Sequence, residues 1–195
     1  MGRNKSFDEE EALQEMLTVF NQNGYHQASM AQLEQATGLK KNSLYFAFGD
    51  KYPMFTRVFQ VYLDGIFASL TTVQTRGRQK NALEQLALLL INDFTPANLP
   101  TANFYINALI AFKEDNGPVH DLLSDAHERY TRILTETLAV GQARGEVTTM
   151  LTVAELVDYC FNVRTGLLAT VNVTPDVEDL KTTLMISLRL LEPHK

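Results

Sequence analysis

Apolar residues recur at three- and four-residue intervals along most of the chain. Ala12, Leu13, Met16, Leu17 and Phe20 form one stripe. Met54, Phe55, Val58, Phe59, Tyr62, Leu63, Ile66, Phe67 and Leu70 form a longer one. This is the period of an α-helix that buries one face. Val, Ile and Thr occur, but no segment alternates at period two between turn signals. The pattern predicts an all-α fold of about nine to ten helices.

Polar punctuation divides the stripes. Ser6-x-x-Glu9, Ser29-x-x-Gln32 and Thr152-x-x-Glu155 are capping boxes, in which a hydroxyl and an acid or amide satisfy the free N–H groups of a first turn. The acidic run Asp8 to Glu11 suits the positive end of a helix dipole, and Gly24 reads as the C-cap of that helix. A short second helix runs from Ser29 through Thr37, with Met30, Leu33 and Ala36 facing inward. Gly38 supplies a turn. A third short helix begins near Lys40 and closes at Gly49. Asp50 can cap a long fourth helix opening at Lys51, where Pro53 is tolerated in the first turn. The run Thr75 to Lys80 reads as a polar linker. Further helices are expected over Lys80–Phe94, Ala102–Glu114, Val119–Gly145 and from Thr152 to Val171. A last one opens at Thr174-Pro175-Asp176, with proline at the first helical position, and ends near Leu191.

Composition narrows the class. The 195 residues, 45% hydrophobic and 21% charged, suit one domain or two small ones with a real core. A net charge of −6 argues against a general nucleic-acid sponge but leaves room for a local basic patch. The single cysteine, Cys160, excludes a disulfide within the chain and favours a reducing, cytoplasmic setting. It reads as a small buried hydrophobe rather than a reactive thiol. No apolar run approaches the roughly 18 residues that span a bilayer, and the N-terminus lacks an apolar signal core. Met1-Gly2-Arg3-Asn4-Lys5-Ser6 matches the loose spacing of a myristoylation signal; a basic tail before the first helix is the preferred reading.

The stretch GLKKNSLYFAFGDK, Gly38 to Lys51, carries the chemistry. A short helix, a glycine-containing turn and a second short helix form a helix-turn-helix, whose second helix enters the DNA major groove N-terminus first. Lys40, Lys41, Asn42 and Ser43 would then lead. They offer donors for guanine, an amide for adenine and a hydroxyl for phosphate. Tyr45 lies one turn after Lys41 on the same face. Leu44 and Phe48 form the opposite face and hold the helix on its scaffold. The alternative reading is a solvated polar edge on a small piece of core.

Residues Ala12 to Phe59 resemble the DNA-binding domain of the TetR/AcrR family of bacterial transcriptional regulators. The resemblance rests on Phe20, Gly24 and Tyr25, on Ser29, on Ala36-x-Gly38-Leu39, and on Lys41, Ser43, Leu44-Tyr45, Phe48 and Lys51 in their spacing. It implies that Lys41, Asn42, Tyr45 and Phe46 face bases or sugars. It implies that Ser29, Lys40, Ser43 and Lys51 face phosphate; Lys51 also opens a helix, where an anion is already favoured. The chain departs from the family at Lys40, where a serine cap is frequent. It departs again at Asn42 for glycine, Ala47 for histidine, and Leu33-Glu34 for isoleucine-alanine. Through Gln60 the chain has six basic and seven acidic residues. Binding must therefore depend on placement, with a shallow salt slope on the order of a few phosphates per subunit.

The resemblance also implies an organisation: a DNA-binding domain over 1–50, a connecting helix over 51–75, and an effector-binding and dimerisation domain over 76–195. The partners implied are a double-stranded operator and a second copy of the chain. The helices over 119–145 and 153–171 would form a four-helix dimer interface. Leu156, Tyr159, Cys160, Val163, Leu167, Leu168 and Val171 are apolar around too much of one helix for a surface element, and Gly141, Gly145 and Gly166 allow close approach. Arg164 is either a snorkelling edge residue or the partner of an acid across the dimer. Phe104, Tyr105, Leu109, Phe112, Tyr130 and Tyr159 are candidates to line a pocket for a small apolar or aromatic effector, or else plain core. No cofactor or metal site is expected. His120, Ser124 and His127 share a polar helical face with acids beside them, but no nucleophile motif, phosphate loop or Cys/His cluster accompanies them. The reading is thus a dimeric, ligand-responsive repressor. The rivals are a helical interaction module that no longer binds DNA and, behind it, an all-α enzyme.

Overall fold

The computed structural model describes residues 7–77, 79–94, 101–171 and 176–193. Among them are nine α-helices and no strand. They are α1 (Glu9–Gln27), α2 (Met30–Thr37), α3 (Lys41–Phe48), α4 (Lys51–Gly77), α5 (Ala82–Ile91), α6 (Phe104–Ala111), α7 (Pro118–Ala143), α8 (Val153–Thr170) and α9 (Val177–Arg189). A 3₁₀ turn, Asn92–Phe94, follows α5, so the single helix expected over Lys80–Phe94 is split.

Most ends obey their predicted chemistry. Ser29 and Thr152 close reciprocal capping boxes with Gln32 and Glu155. Glu155's carboxyl is held below its usual range by the Thr152 backbone N–H and hydroxyl. Several starts differ. Asp8 caps α1 by accepting from the Glu10 and Glu11 N–H groups, while Ser6 lies outside the described residues. Helix α5 begins at Ala82 rather than near Lys80, with Asn81 as its cap. Asp176 caps α9, so Pro175, also outside the described residues, precedes the cap. Gly24 does break α1, with φ 69° and ψ 167°, a conformation open to glycine; one more turn then reaches Gln27. The expected linker starts late, because Thr75, Arg76 and Gly77 are still helical.

The chain divides into two compact units. The first comprises residues through Gly65 together with Asn107–Leu123; the second comprises Ile66–Ile106 and Ser124 onward. In the first, the α1 stripe Met16, Leu17 and Phe20 meets Leu33, Leu44, Phe48 and the α4 residues Met54, Phe55, Val58 and Phe59, all buried. Burying one such side chain is worth about 1.5–3 kcal/mol. Met30 and Ala36 are only half-buried, leaving Leu33 as the anchor of α2. Tyr25 packs on Tyr52, Phe55 and Phe112, with ring centroids 6.3, 5.3 and 4.8 Å away. The Tyr52 hydroxyl donates to Asp115 at 2.6 Å.

In the second unit α5 packs on α9 and α8 on α9. Leu180, Leu184 and Leu188 form the inward stripe of α9. A Cβ on Gly141 would stand 2.5 Å from Ala82 Cβ and 2.6 Å from Val147 Cγ2. The close approach this glycine permits is thus within its own chain rather than to a second copy. Gly145 serves a turn, at φ 69°.

Candidate nucleic-acid interface

The helix α3 is held on three sides. Leu44 and Phe48 are buried beneath it. At its C-terminal end the Arg57 guanidinium donates to the Ala47 carbonyl at 3.2 Å, lies 4.9 Å from the Phe48 ring and pairs with Glu9. A cation there complements the negative end of the helix dipole. At the N-terminal end Lys40 occupies the cap position with no side-chain hydrogen bond. The Lys41 N–H instead donates to Glu34 Oε1 of α2 at 2.5 Å. Gly38, at φ 66°, makes the left-handed turn between the two helices.

Several of the residues expected to meet DNA lie on its outward side. Lys40, Lys41, Asn42 and Ser43 are exposed and Tyr45 is half-buried. Phe46 is 89% exposed, unusual for a phenylalanine held on a well-packed helix. The Lys41 ammonium lies 5.7 Å from the Tyr45 ring, as their one-turn spacing requires. Two flanking residues are more engaged than their sequence suggests. The Ser29 hydroxyl is used in its capping box, accepting from Gln32 N–H at 3.2 Å. The Lys51 ammonium donates to the His26 carbonyl at 3.3 Å and sits 4.8 Å over the Tyr25 ring, and burial pushes its pKa down.

The expected dimer residues lie elsewhere than anticipated. Leu156, Cys160, Arg164, Leu167 and Val171 are buried within the single chain, and Val163 is half-buried. That inward face explains why α8 looked too apolar for a surface element. Arg164 is neither a snorkelling edge nor free for an acid across a dimer: its Nε donates to Asp93 Oδ2 of the same chain at 2.7 Å. Burial pushes the Cys160 thiol up to about 12.

The candidate pocket residues are also divided. Leu109 and Phe112 belong to the first unit, Leu109 40% exposed and Phe112 in the Tyr25 cluster. Phe104, Tyr105 and Tyr130 are buried in the second, while the half-buried Tyr159 ties α8 to α9 by donating to the Ser187 carbonyl at 3.0 Å. Tyr105 and Tyr130 flank Arg164, their ring centroids 5.7 and 4.4 Å from Cζ. Beside them Asp93 Oδ1 and the Tyr130 hydroxyl are buried and lack a hydrogen-bond partner among the described residues. Burial drives the Tyr130 pKa up. The polar face of α7 forms no centre: His120 lies 3.9 Å from Asp121 at the surface, and the His127 ring packs edge-on against Phe161 at 4.7 Å. Among the described residues no group of three His, Cys, Asp or Glu is placed to hold a metal ion. No described helix is long and apolar enough to cross a membrane.

Among the described residues every regular element is helical, and α2, the Gly38 turn and α3 form a helix-turn-helix, the class of many DNA-binding regulators. Comparison with known proteins agrees. Residues 13–58 match the profile of the bacterial regulatory proteins of the tetR family. The HTH-type transcriptional repressor ComR of Escherichia coli is 33% identical over 161 residues, spanning 81% of this chain and 76% of that protein. The TetR family regulator CifR, in a cysteine variant solved with a 26-base-pair double-strand operator, is 28% identical with a TM-score of 0.79, covering 97% of this chain and 100% of that one. A regulator from Saccharomonospora viridis solved with choline shares the fold at 17% identity, with a TM-score of 0.81 over 92% of this chain and 94% of that one. The chain belongs to the TetR family. It is a DNA-binding transcriptional regulator, not an enzyme.

Proposed function

We propose that this chain is a cytoplasmic, dimeric repressor that a small effector releases from a palindromic operator. The observation that carries the reading is the outward face of α3, where Lys40, Lys41, Asn42, Ser43 and Phe46 are exposed and Tyr45 half-buried above the packed Leu44 and Phe48. Lys41, Asn42, Tyr45 and Phe46 read bases and sugars, while Lys40 and Ser43 contact phosphate. Ser29 and Lys51 flank them with helix N-termini, which favour phosphate even where the side chains are engaged. Residues 1–50 read DNA, 51–75 connect, and 76–195 serve effector and dimer. The names of ComR, a repressor, and of CifR, bound to operator DNA, support this assignment.

One recognition helix spans too few base pairs for specific control, so a second copy placed about 34–36 Å away supplies the other half-site. The surface offered to that copy is the outward side of α8 and α9, not the buried residues of α8. On α9, Thr183, Ile186 and Leu190 are exposed and share one helical stripe. The effector site is the buried centre of Asp93, Arg164, Tyr105 and Tyr130. The Tyr105 and Tyr130 rings suit a small apolar or aromatic molecule, and Asp93 Oδ1 and the Tyr130 hydroxyl, which lack a hydrogen-bond partner among the described residues, suit one polar group on it. An effector that prefers the non-binding arrangement of the dimer shifts the population off the operator.

Selection of bound duplexes from a random-sequence library at two salt concentrations tests the reading. A palindrome with half-sites about one helical turn apart is expected. Absence of enrichment, after unfolding and refolding to strip any bound ligand, would overturn it in favour of a non-DNA module.

A further inference from the structure

We infer that Glu34 is a positioning residue for the recognition helix, which trades non-specific DNA affinity for sequence discrimination. The inference rests on the reading of α3 as the helix that enters the major groove. In most helices a residue at the cap position satisfies the first N–H groups through its own side chain. Lys40 makes no such bond. Within the first turn of α3, Ser43 and Leu44 donate to the Lys40 carbonyl at 2.8 and 3.1 Å. The Lys41 N–H is directed out of the helix, and it is taken by Glu34 Oε1 at 2.5 Å, seven residues earlier and from a different helix. A local cap would leave α3 free to tilt about the Gly38 turn. A cap from α2 ties the start of the recognition helix to the helix that supports it. With Arg57 donating to Ala47 at the other end, both termini of α3 are fixed by side chains of neighbouring helices.

The same carboxylate has an electrostatic consequence. It occupies the positive end of α3 beside Lys40 and Lys41, where a DNA phosphate would otherwise be drawn. That placement weakens the sequence-independent part of binding, which is dominated by phosphate contacts. Base contacts from Lys41 and Asn42 depend on where the helix begins, and this is the part that the cap protects. Glu34 is half-buried and its carboxylate accepts from the Lys41 N–H, so its effect concentrates on this helix start.

Two substitutions separate the two effects. Glu34→Gln keeps an oxygen that accepts from the Lys41 N–H and removes the charge. Glu34→Ala removes both. Affinity for the selected operator and for a scrambled duplex is measured for the wild type and both variants, alongside amide exchange of Lys41 in the DNA-free protein. Both variants are expected to bind scrambled DNA roughly threefold more tightly. Glu34→Gln should keep the operator-to-scrambled ratio and the protection of the Lys41 amide. Glu34→Ala should lose that protection and lower the ratio by roughly fivefold. Equal Lys41 exchange in all three proteins would overturn the cap, whatever the DNA results. Protection lost without a change in ratio would overturn the positioning role. A wild type that discriminates between no sequences would instead overturn the reading of α3 itself, and is recognised from the wild type alone.

Discussion

Arg164 Nε lies 2.7 Å from Asp93 Oδ2, and the two side chains are 5% and 2% exposed. A buried pair of this kind costs desolvation at both ends, so its presence is weak support for stability but its disruption is expensive. Asp93→Ala and Arg164→Ala should each destabilise the protein by about 3–5 kcal/mol, because the charge left behind stays buried without its ion-pair counterpart. Tyr130→Phe removes an oxygen with no partner among the described residues and should cost under about 1 kcal/mol, or stabilise. Urea denaturation of the three variants checks the order. Equal losses would show that the pair is not the polar centre of this unit.

Phe46 is the cleanest probe of the DNA face. It is 89% exposed, so Phe46→Ala should leave stability within about 0.5 kcal/mol. If its ring packs on sugar or a thymine methyl, operator affinity should nevertheless fall several-fold with an unchanged salt slope. Leu44→Ala is the opposite case: Leu44 is fully buried, and its loss should cost about 2–5 kcal/mol in the stability of the helix-turn-helix. Thermal melts and anisotropy titrations distinguish the pair.

Cys160 should be inert in the folded protein. Burial raises its pKa from 9.0 to about 12, so the native thiol carries almost no thiolate at pH 8. Maleimide labelling should be slow in buffer and fast in denaturant. The sign of the linkage follows. A raised folded pKa gives a contribution fully present below pH 9 that is lost as pH climbs from about 9 towards about 12, where only the unfolded thiol ionises. Rapid native labelling at pH 8 would contradict the burial of α8's inward face.

The oligomer should be sensitive to α9 rather than to the inward residues of α8. Ile186 is 60% exposed. Ile186→Arg should give a folded monomer in sedimentation velocity and reduce operator affinity steeply, since both half-sites are no longer engaged together. Leu167→Arg should instead unfold the protein, because Leu167 is buried in the single chain. A folded, dimeric Ile186→Arg protein would move the interface elsewhere.

The helix-turn-helix was legible because its signals are local. The Phe20, Leu33, Leu44 and Phe48 positions follow helical spacing, and Gly24 and Gly38 take the positive φ that their places required. Other features depend on partners far along the chain. Asp93 and Arg164 are 71 residues apart, and an arginine on an apolar helix reads alike whether it snorkels, crosses an interface or pairs inward. The face of α8 was visible as apolar, but periodicity does not say whether the covering surface is the chain's own or a second copy's. Glu34 stood out in the sequence only as a departure from the family pattern, since only the folded turn brings it to the start of α3.

The most direct test of the account is the operator preference of Lys41→Ala beside that of the wild type, each obtained by selection from the same random library. On the proposed reading the exposed Lys41 side chain contacts a base edge, so discrimination should relax at one symmetric pair of positions, at a cost of about 1–3 kcal/mol. An unchanged preference with uniformly weaker binding would make Lys41 a phosphate contact. An unchanged preference with unchanged affinity would contradict the assignment of α3 as the reading helix.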